Sequence, residues 1–537
     1  MTYDLLCGLY YGEGSNADLT SPAGRRLLHV QTPLEKHVAD ALGRGLDVVL
    51  TGNPGDGKSH VAHMLEADGA LRETDVYPDL SAGPNAAAVS RWLAARKAGR
   101  RFLLLGNEGP LVEFLEEARG VPGLEASVAE VRGQLRRLLV QRAADLPPPP
   151  ALVSLVDLAD RSVLIPEVIE AMLERVCSAD FLPPMTRAVE SSVGRNLVAL
   201  KVPEVRRRLA RVLCAAGRRR GEHVTFRQLW AAVAYAATAA KAASTLKQEL
   251  YQDSVGLGTT PLDNLVSARA KGPLVEAVRA FCDPATTPDP DLDEQIWSTG
   301  QVTGDWLAEE LPAQTPPAAL WGDGERGEAL RTFAQMKRAV ALLHARGERL
   351  VAAIERRLRL PSDAPDNPLR RLVVRGLRHL YVSPDQERVA PPWLTEGVPL
   401  WVGFSYTDRP AEERPHVAVR SLAESDFEVQ RPARAPWLAD VLGPALEVAW
   451  LVHAESGISL RINPEMLGAL AAASESSGPM TIPEPVQRFL VRLAGWDEGE
   501  EPLEVGAHSF AVVDRPRGVI EAAGRVQESA SGAARYA

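Results

Sequence analysis

Short apolar runs alternate with amphipathic stretches over residues 1–165. The runs are rich in Val, Leu and Thr and predict strands at Asp47–Thr51, Val76–Leu80, Arg101–Gly106 and Leu152–Asp157. The stretches between them predict helices at Ser59–Leu65, Asn85–Lys97 and Glu125–Ala144. Strands and helices that alternate at this spacing predict an α/β domain with a parallel sheet and right-handed crossovers.

The pattern changes after residue 165. Residues 166–283 are almost wholly helical in pattern and occupy the position of a lid; the clearest helices are Val205–Ala215 and Phe226–Ala240. A proline-rich linker at 284–290 precedes a mixed α/β C-terminal interaction domain at 291–537, and a second break lies at 312–317. There we predict helices at Arg331–Arg346, Pro444–His453 and Pro485–Ala494 and strands at Leu400–Ser405 and His416–Arg420.

A glycine-rich segment lies between the first predicted strand and the helix after it. It matches G-x-x-x-x-G-K-S through Gly52, Asn53, Pro54, Gly55, Asp56, Gly57, Lys58 and Ser59. In such a loop the backbone N–H groups converge on a β-phosphate, the lysine neutralises the β- and γ-phosphates, and the serine hydroxyl ligates Mg²⁺. We therefore predict an AAA+-like P-loop NTPase core that binds ATP with Mg²⁺, with GTP as the alternative, and hydrolyses it.

Hydrolysis also requires an acidic group on a neighbouring strand. Two strand ends compete for this role. After the third predicted strand, Glu108 is a candidate base for the attacking water, and Asn107 stands where an aspartate usually holds the metal side. After the fourth strand, Asp157 is a candidate sensor of the γ-phosphate. The reverse assignment, with Asp157 as the metal-side acid, stays open.

Arginines in the helical block offer further candidates. Arg227 stands at the start of a predicted lid helix, from which it can reach a γ-phosphate, although a surface role is the alternative. Arg206 and Arg220 belong to a basic stretch that could contact DNA phosphates, but such runs are usually solvated faces or interface pairs. Arg161 and Arg195 are candidate arginine fingers acting on a neighbouring subunit.

Composition narrows the class of protein. Among 537 residues, 60 are Lys or Arg and 70 are Asp or Glu, so the net charge of −10 argues against a surface that coats nucleic acid by charge alone. Cys7, Cys177, Cys214 and Cys282 lie far apart without metal-ligand spacing, which predicts reduced thiols. No apolar stretch is long enough for a membrane helix, and we expect a cytoplasmic protein.

Several of these motifs together resemble the DptF-type ATPases of phosphorothioation-dependent DNA restriction and related bacterial anti-phage ATPases. The resemblance covers about residues 35–240 and rests on Gly52–His60, Asp79–Ser81, Asn107–Gly109, Asp157–Arg161 and Thr225–Leu229, with a later match at Met336–Arg338. It adds His60 to the expected nucleotide-binding residues. It also implies a subunit that couples ATP turnover to assembly or activation of a restriction complex.

The partners implied by this resemblance are the other subunits of the complex, through which DNA is contacted, and further copies of the chain, without a membrane. An alternative is a nucleotide-bound switch or scaffold with little hydrolysis. It is motivated by Asn107, because an amide there replaces the usual metal-binding carboxylate.

Overall fold

The computed structural model describes residues 2–11, 21–140, 148–178, 191–241, 260–308, 313–358, 366–379, 400–404, 420–422, 424–431, 435–444, 448–475, 483–494, 510–511, 526–528 and 534–536. The chain divides into two compact units. One unit comprises Met1–Leu358 with Ala433–Leu446, and the other comprises Arg359–Pro432 with Glu447–Ala537.

A four-stranded, all-parallel sheet forms the centre of the α/β part of the first unit. Its strands are β1 (Asp47–Thr51), β2 (Thr74–Tyr77), β3 (Arg101–Leu105) and β4 (Val153–Asp157), in the order β2-β3-β1-β4. The register pairs Leu50 with Leu105 and Thr51 with Asp157, so the carboxyl ends of β3, β1 and β4 meet at one edge. The predicted parallel sheet is confirmed.

Helices account for most of the remaining first unit. In chain order they begin with α1 (Thr2–Tyr10), α2 (Pro22–Leu28), α3 (Pro33–Gly43), α4 (Lys58–Ala67), α5 (Asn85–Lys97), α6 (Glu108–Glu117), α7 (Glu125–Val140), α8 (Pro166–Val176), α9 (Ser192–Ala199), α10 (Pro203–Arg220) and α11 (Phe226–Thr238). Further helices follow at Pro261–Val266, Pro273–Phe281, Pro290–Thr299, Pro317–Gly322, Arg326–Leu343 and Gly347–Leu358.

Most predicted elements of this unit are confirmed, with small changes of boundary. The second strand ends earlier than expected, because Asp79 accepts a hydrogen bond from the Ser81 backbone and starts a 3₁₀ turn at Leu80–Ala82. The helix predicted at Glu125–Ala144 is described as far as Val140, and its last residues lie outside the described part of the chain.

Both faces of the sheet are covered. Leu50, Leu103 and Val156 belong to a core on the face that packs against α3 and α4, and Leu104 and Leu155 belong to a core with Trp92 and Phe114 on the other. This explains why the sequences of the strands are continuous apolar runs and do not alternate between apolar and polar residues. All residues of β1 and of β4 are buried.

A buried carboxylate at the start of β1 ties this layer together. Asp47 is 4% exposed and accepts hydrogen bonds from Trp92 Nε1 at 2.8 Å, Phe102 N at 2.9 Å and Arg96 Nε at 3.1 Å. It therefore links β1 to β3 and to α5, and its charge is compensated by a hydrogen-bonded guanidinium.

The helical part of the first unit has its own core. This core runs from Leu6 to Ile354, so residues on both sides of the prolines at 284–290 contribute to it. Within that proline-rich stretch, Pro284–Thr286 form a 3₁₀ turn, and Asp283 beside it is paired with Arg338 Nη2 at 2.7 Å. Arg208 donates from within this core to the carbonyls of Leu342 and His344 at 3.1 and 2.6 Å.

A distant stretch of chain returns to the first unit. Residues 435–444 contain a short helix at Ala439–Leu442, and Leu438, Val441 and Leu442 join the core on the α3 face of the sheet. The Ser162 N–H, a few residues after β4, donates to the Leu442 carbonyl at 2.8 Å. The core on the α3 face of the sheet is thus completed by residues far away in sequence.

The second unit contains the helices Asp366–His379, Pro464–Glu475 and Glu484–Ala494. Its strands are β5 (Leu400–Phe404), β6 (Arg420–Leu422), β7 (Phe427–Gln430), β8 (Ala449–His453), β9 (Ser459–Ile462), β10 (Phe510–Ala511), β11 (Val526–Glu528) and β12 (Ala534–Tyr536). The order β7-β8-β9 gives an antiparallel sheet, and β10-β5-β6 and β11-β12 give two more.

One predicted helix of this unit is wrong. Pro444–His453 was expected to be helical, but Ala449–His453 is the central strand β8 of the three-stranded antiparallel sheet. An apolar run this short fits a buried helix or a buried strand equally well, and pairing on both sides decides for the strand. The strand at Leu400–Ser405 and the helix at Pro485–Ala494 are confirmed, while 405 and 416–419 lie outside the described residues.

No helix in the described ranges has the length and apolar character needed to span a membrane.

The Asp47 contacts predict that two ion pairs made by α5 contribute very different amounts to the free energy of unfolding. Asp47→Ala leaves the Trp92 and Phe102 N–H groups and the Arg96 guanidinium without their acceptor, and should cost about 3–5 kcal/mol. Asp75 pairs with Arg91 of the same helix near the surface, and Asp75→Ala should cost about 1 kcal/mol or less. Urea unfolding measures both; equal losses would contradict the role given to Asp47.

Candidate functional site

The loop between β1 and α4 has the backbone that a phosphate-binding loop needs. Gly52, Gly55 and Gly57 have φ values of +136°, +99° and +93°, which favour glycine. A Cβ on Gly52 would lie 2.8 Å from Asp56 Oδ2 and 3.1 Å from the Ala159 backbone nitrogen. Glycine is therefore required here by both conformation and space, and the helix that follows starts at Lys58.

Lys58 connects this loop to the neighbouring strand. Its Nζ donates to the carbonyls of Gly52 and Asn53 at 2.9 and 3.0 Å and to Asn107 Oδ1 at 3.0 Å. Burial lowers the pKa of the Lys58 ammonium, while the carboxylates of Asp56, Asp79 and Asp157 act in the opposite direction. These three hydrogen-bond acceptors are neutral oxygens, which an anionic phosphate oxygen would displace readily.

The two rival acids meet at the same edge. Glu108 is the first residue of α6 and is exposed, whereas Asp157 at the end of β4 is 7% exposed. The Glu108 carboxyl is among the groups that raise the pKa of Asp157, and the Asp157 side chain accepts a hydrogen bond from the Ala159 N–H at 2.9 Å. Since both lie beside β1, the structure brings them together without separating their roles, and the assignment stays a prediction.

The Asp157 carboxyl has an unusual proton affinity. Burial is the main cause that raises the pKa of Asp157 to about 7; the nearby Asp160 and Glu108 carboxyls contribute to this rise, and the hydrogen bond from the Ala159 N–H opposes it. Thr51, its register partner in β1, is fully buried and its Oγ1 has no hydrogen-bond partner in the structure described. Polar groups in this condition fit a site that binds a cation and anionic oxygens.

A turn from the helical block closes over the loop. The Arg227 N–H donates to the Gly55 carbonyl at 3.2 Å, and His223 Nε2 lies 2.6 Å from Asp56 Oδ1. The second Asp56 oxygen accepts the Asn53 N–H at 2.7 Å. Thr225 caps α11 between these contacts, so the turn is fixed to its helix as well as to the loop.

The His223–Asp56 pair had not been predicted. The two residues are 167 positions apart, and neither residue type signals such a pair by itself. Only the fold brings them together, and sequence patterns carry no information about contacts at that separation.

These elements surround a cavity of about 290 Å³. The glycine-rich loop forms one side with Lys58 and Ser59, and apolar residues, among them Leu28 and Trp230, form another. Asn107 and Arg227 also line it. A cavity of this kind, mainly apolar on one side and with polar groups converging on the other, suits a small ligand with an anionic end.

His60 contributes a neutral group to this cavity. Its Nε2 lies 3.2 Å from His29 Nδ1, and burial lowers the pKa of His60 to about 4, assisted by His29, His63 and Arg25. The imidazole is uncharged at neutral pH, so it can form hydrogen bonds in the cavity wall but cannot supply a cation to a phosphate.

The basic stretch of the helical block is engaged within the chain. Arg206 Nη1 donates to the carbonyls of Leu200 and Lys201, and Arg220 contacts the Pro273 carbonyl and Glu222. These contacts favour the interpretation of the stretch as packing and interface pairs rather than as a DNA surface. Arg195 is an exposed residue of α9 and does not line the cavity.

Arg161 lines the cavity of its own chain and is only 5% exposed. A side chain enclosed in this way cannot extend into a neighbouring subunit. Its prediction as an arginine finger acting in trans is therefore wrong.

No cluster of three or more His, Cys, Asp or Glu side chains that could hold a metal occurs within the described ranges. A P-loop does not need one, because the serine hydroxyl, phosphate oxygens and water supply most of the ligands of Mg²⁺. The Ser59 hydroxyl in the cavity wall and the Glu108 and Asp157 carboxyls at the sheet edge fit this arrangement.

Comparison of the chain with protein-family models, with curated proteins and with solved structures finds no match. The function is therefore inferred from the geometry of this cavity.

The raised pKa of Asp157 makes a prediction about stability. The pKa of this carboxyl is 3.8 in the unfolded chain and about 7 in the fold. Ionisation of Asp157 therefore lowers the stability of the fold increasingly as the pH rises from 3.8 to 7, and the full cost is present above pH 7. Asp157→Asn removes that cost and should raise the Tm of the nucleotide-free protein at pH 8 by at least about 2 °C.

Near pH 4 the two proteins should unfold at nearly the same temperature, because the carboxyl is then mostly neutral in both states. The control Glu113→Gln removes one exposed negative charge from α6 and should leave the Tm unchanged at both pH values. A lower Tm for Asp157→Asn at pH 8, measured by calorimetry, would show that the Asp157 carboxylate stabilises the fold.

Proposed function

We propose that the chain is an ATPase of the P-loop class with an AAA+-like core, which binds ATP with Mg²⁺ and hydrolyses it. The observation that carries this proposal is the glycine loop between β1 and α4, whose Lys58 amine reaches Asn107 at the end of the adjacent strand β3. A fortuitous G-x-x-x-x-G-K-S match would have no reason to adopt this backbone or to face a cavity.

The loop binds the phosphates through backbone and side chain together. The N-terminus of α4 supplies N–H groups and the positive end of the helix dipole, and Lys58 supplies a full charge. Ser59 offers its hydroxyl to Mg²⁺, and the ion when bound offsets the charge of the β- and γ-phosphates. Lys58 exchanges its carbonyl acceptors for phosphate oxygens, which are stronger acceptors.

We propose that Glu108 orients and deprotonates the attacking water, with Asp157 as the neighbouring acid on the metal side. Two observations support this division: Glu108 is open to solvent, whereas Asp157 is buried at the sheet edge. A carboxyl with a pKa near 7 must lose its proton before it can hold a cation, so nucleotide binding with Mg²⁺ is expected to strengthen as the pH rises through that value.

Asn107 positions Lys58 through its side-chain oxygen. We propose that the Arg227 guanidinium stabilises charge on the γ-phosphate during cleavage; its exposed position at the cavity wall and the contact of its N–H with Gly55 support this role. The contacts at Gly55 and Asp56 join the loop directly to α11. Occupation of the loop by a phosphate is thereby linked to the helical block.

At the level of the cell, we propose a subunit of a bacterial DNA restriction or anti-phage complex. The support is the resemblance of the motifs to the DptF-type ATPases, together with the intramolecular engagement of Arg206 and Arg220 and the net charge of −10, which leave DNA contact to partner subunits. A nucleotide-bound switch is the second candidate; Asn107 favours it, since no carboxylate stands in its place beside Lys58.

Removing the Lys58 amine tests nucleotide binding. Lys58→Ala should abolish measurable ATP binding, because the phosphate charge loses its nearest cation. Calorimetric titration with Mg-ATP gives the affinity, and Lys97→Ala, an exposed lysine at the end of α5, is the control. ATP affinity that survives Lys58→Ala would exclude this loop as the phosphate site.

Glu108 and Asp157 separate turnover from binding. Glu108→Gln keeps the shape of the site but removes the base, so Mg-ATP should remain bound while single-turnover hydrolysis falls about a hundredfold or more. Asp157→Asn should weaken Mg²⁺-dependent binding as well as turnover. Glu113→Gln is the control for a charge change on α6 away from the cavity.

The reverse outcome, wild-type hydrolysis in Glu108→Gln and none in Asp157→Asn, would exchange the two roles. Wild-type protein that binds ATP but does not turn it over, even with DNA and its partner subunits, would favour the switch.

A further inference from the structure

Arg161 is a buried cation without a matching acceptor. It follows the 3₁₀ turn Leu158–Asp160 at the end of β4, and its side chain is 5% exposed. The guanidinium lies over the Phe226 ring, 5.1 Å from the ring centroid. Within the described ranges that ring is its only side-chain partner, and no hydrogen bond or ion pair of the guanidinium is present.

The carboxylates nearest to this guanidinium are already engaged. Glu35 accepts both the Thr32 N–H and the Thr32 hydroxyl, at 3.0 and 2.6 Å. Asp56 accepts the Asn53 N–H and faces His223. Both carboxylates act on Arg161 from a distance: burial lowers the pKa of Arg161, and Glu35 and Asp56 oppose that change.

A second buried arginine shows what a structural role looks like in this chain. Arg208 is also 5% exposed, and its guanidinium donates to the carbonyls of Leu342, His344 and Ala345 and pairs with Glu348. Buried guanidinium groups normally satisfy their N–H donors in this manner. Arg161 departs from that pattern, and it does so in the wall of the cavity that contains Lys58 and Ser59.

We propose that Arg161 is a positioning residue for the nucleotide, donating from the floor of the cavity to phosphate oxygens. A planar guanidinium with unused N–H donors matches an anionic phosphate better than any neutral part of a nucleotide, because it can form two parallel charge-assisted hydrogen bonds. This inference rests on the proposed nucleotide-binding function and adds to it a cation of the same chain, distinct from Lys58 and Arg227.

Phe226 connects Arg161 to the start of α11. The ring under the guanidinium is the first residue of α11, next to Arg227, whose N–H contacts Gly55. Arg161 therefore joins the end of β4 to the turn that closes over the phosphate-binding loop. A phosphate drawn to Arg161 is held between these two elements.

Stability without nucleotide distinguishes positioning from structure. Arg161→Met replaces the guanidinium by an unbranched apolar side chain and so removes a buried charge that has no acceptor among the described residues. The Tm of the nucleotide-free protein should therefore stay the same or rise. Arg208→Met should lower the Tm, because it removes the guanidinium that donates to three carbonyls and pairs with Glu348. A comparable fall in the Tm of Arg161→Met would assign a structural role to Arg161 and overturn the proposal.

Binding then identifies the part of the ligand that Arg161 contacts. Arg161→Met should weaken ATP about 10- to 100-fold, the range for a lost hydrogen bond to a charged group, and leave adenosine, measured by competition, unchanged. Arg161→Gln, a polar neutral variant, should show the same pattern. Unchanged ATP affinity, or equal losses for ATP and adenosine, would overturn the proposal.

The wild-type protein and Lys58→Ala, measured in the same series, separate this inference from the proposed function. If the wild type does not bind ATP, the proposed function fails and the inference fails with it. If the wild type binds ATP, Lys58→Ala does not, and Arg161→Met binds like the wild type, only the inference fails.

Discussion

The parallel register of β1 with its two neighbours is the constraint on which the site depends. Leu50 pairs with Leu105 and Thr51 with Asp157, so β1, β3 and β4 end side by side at the same edge of the sheet. The loop after β1, Asn107 after β3 and Asp157 at the end of β4 therefore reach one another without long side chains. If β4 paired with β1 one residue out of register, the Asp157 side chain would lie on the opposite face of the sheet, because successive side chains of a strand alternate between faces.

Several polar groups at this edge are in environments that lower the stability of the fold. Three such groups are buried at this edge. Asp157 has a pKa near 7, the Thr51 hydroxyl has no hydrogen-bond partner in the part of the chain that is described, and the Arg161 guanidinium lies over the Phe226 ring. Elsewhere in the same unit buried charges are well matched, as Asp47 and Arg208 show. A carboxyl with a raised pKa and a guanidinium without an acceptor at the same cavity are what a ligand site is expected to contain.

The sequence predicted the sheet and the loop because both depend on local pattern. The strands are continuous apolar runs, and the loop carries glycines at the positions whose φ values need them. The contact between His223 and Asp56, the enclosure of Arg161 and the meeting of Glu108 with Asp157 depend on long-range packing, which no local pattern encodes. Ala449–His453 shows the same limit, since its partners and not its composition make it a strand.

The return of residues 435–444 to the first unit affects how the protein can be made. Leu438, Val441 and Leu442 cover apolar residues of α3 and of the sheet, among them Leu34 and Val156, which would otherwise face water. These covering residues leave the ribosome only after most of the chain has been synthesised, whereas the sheet they protect is complete by residue 157. The nascent α/β part of the first unit therefore passes through a period with an uncovered hydrophobic face, during which it is a substrate for chaperones and prone to self-association.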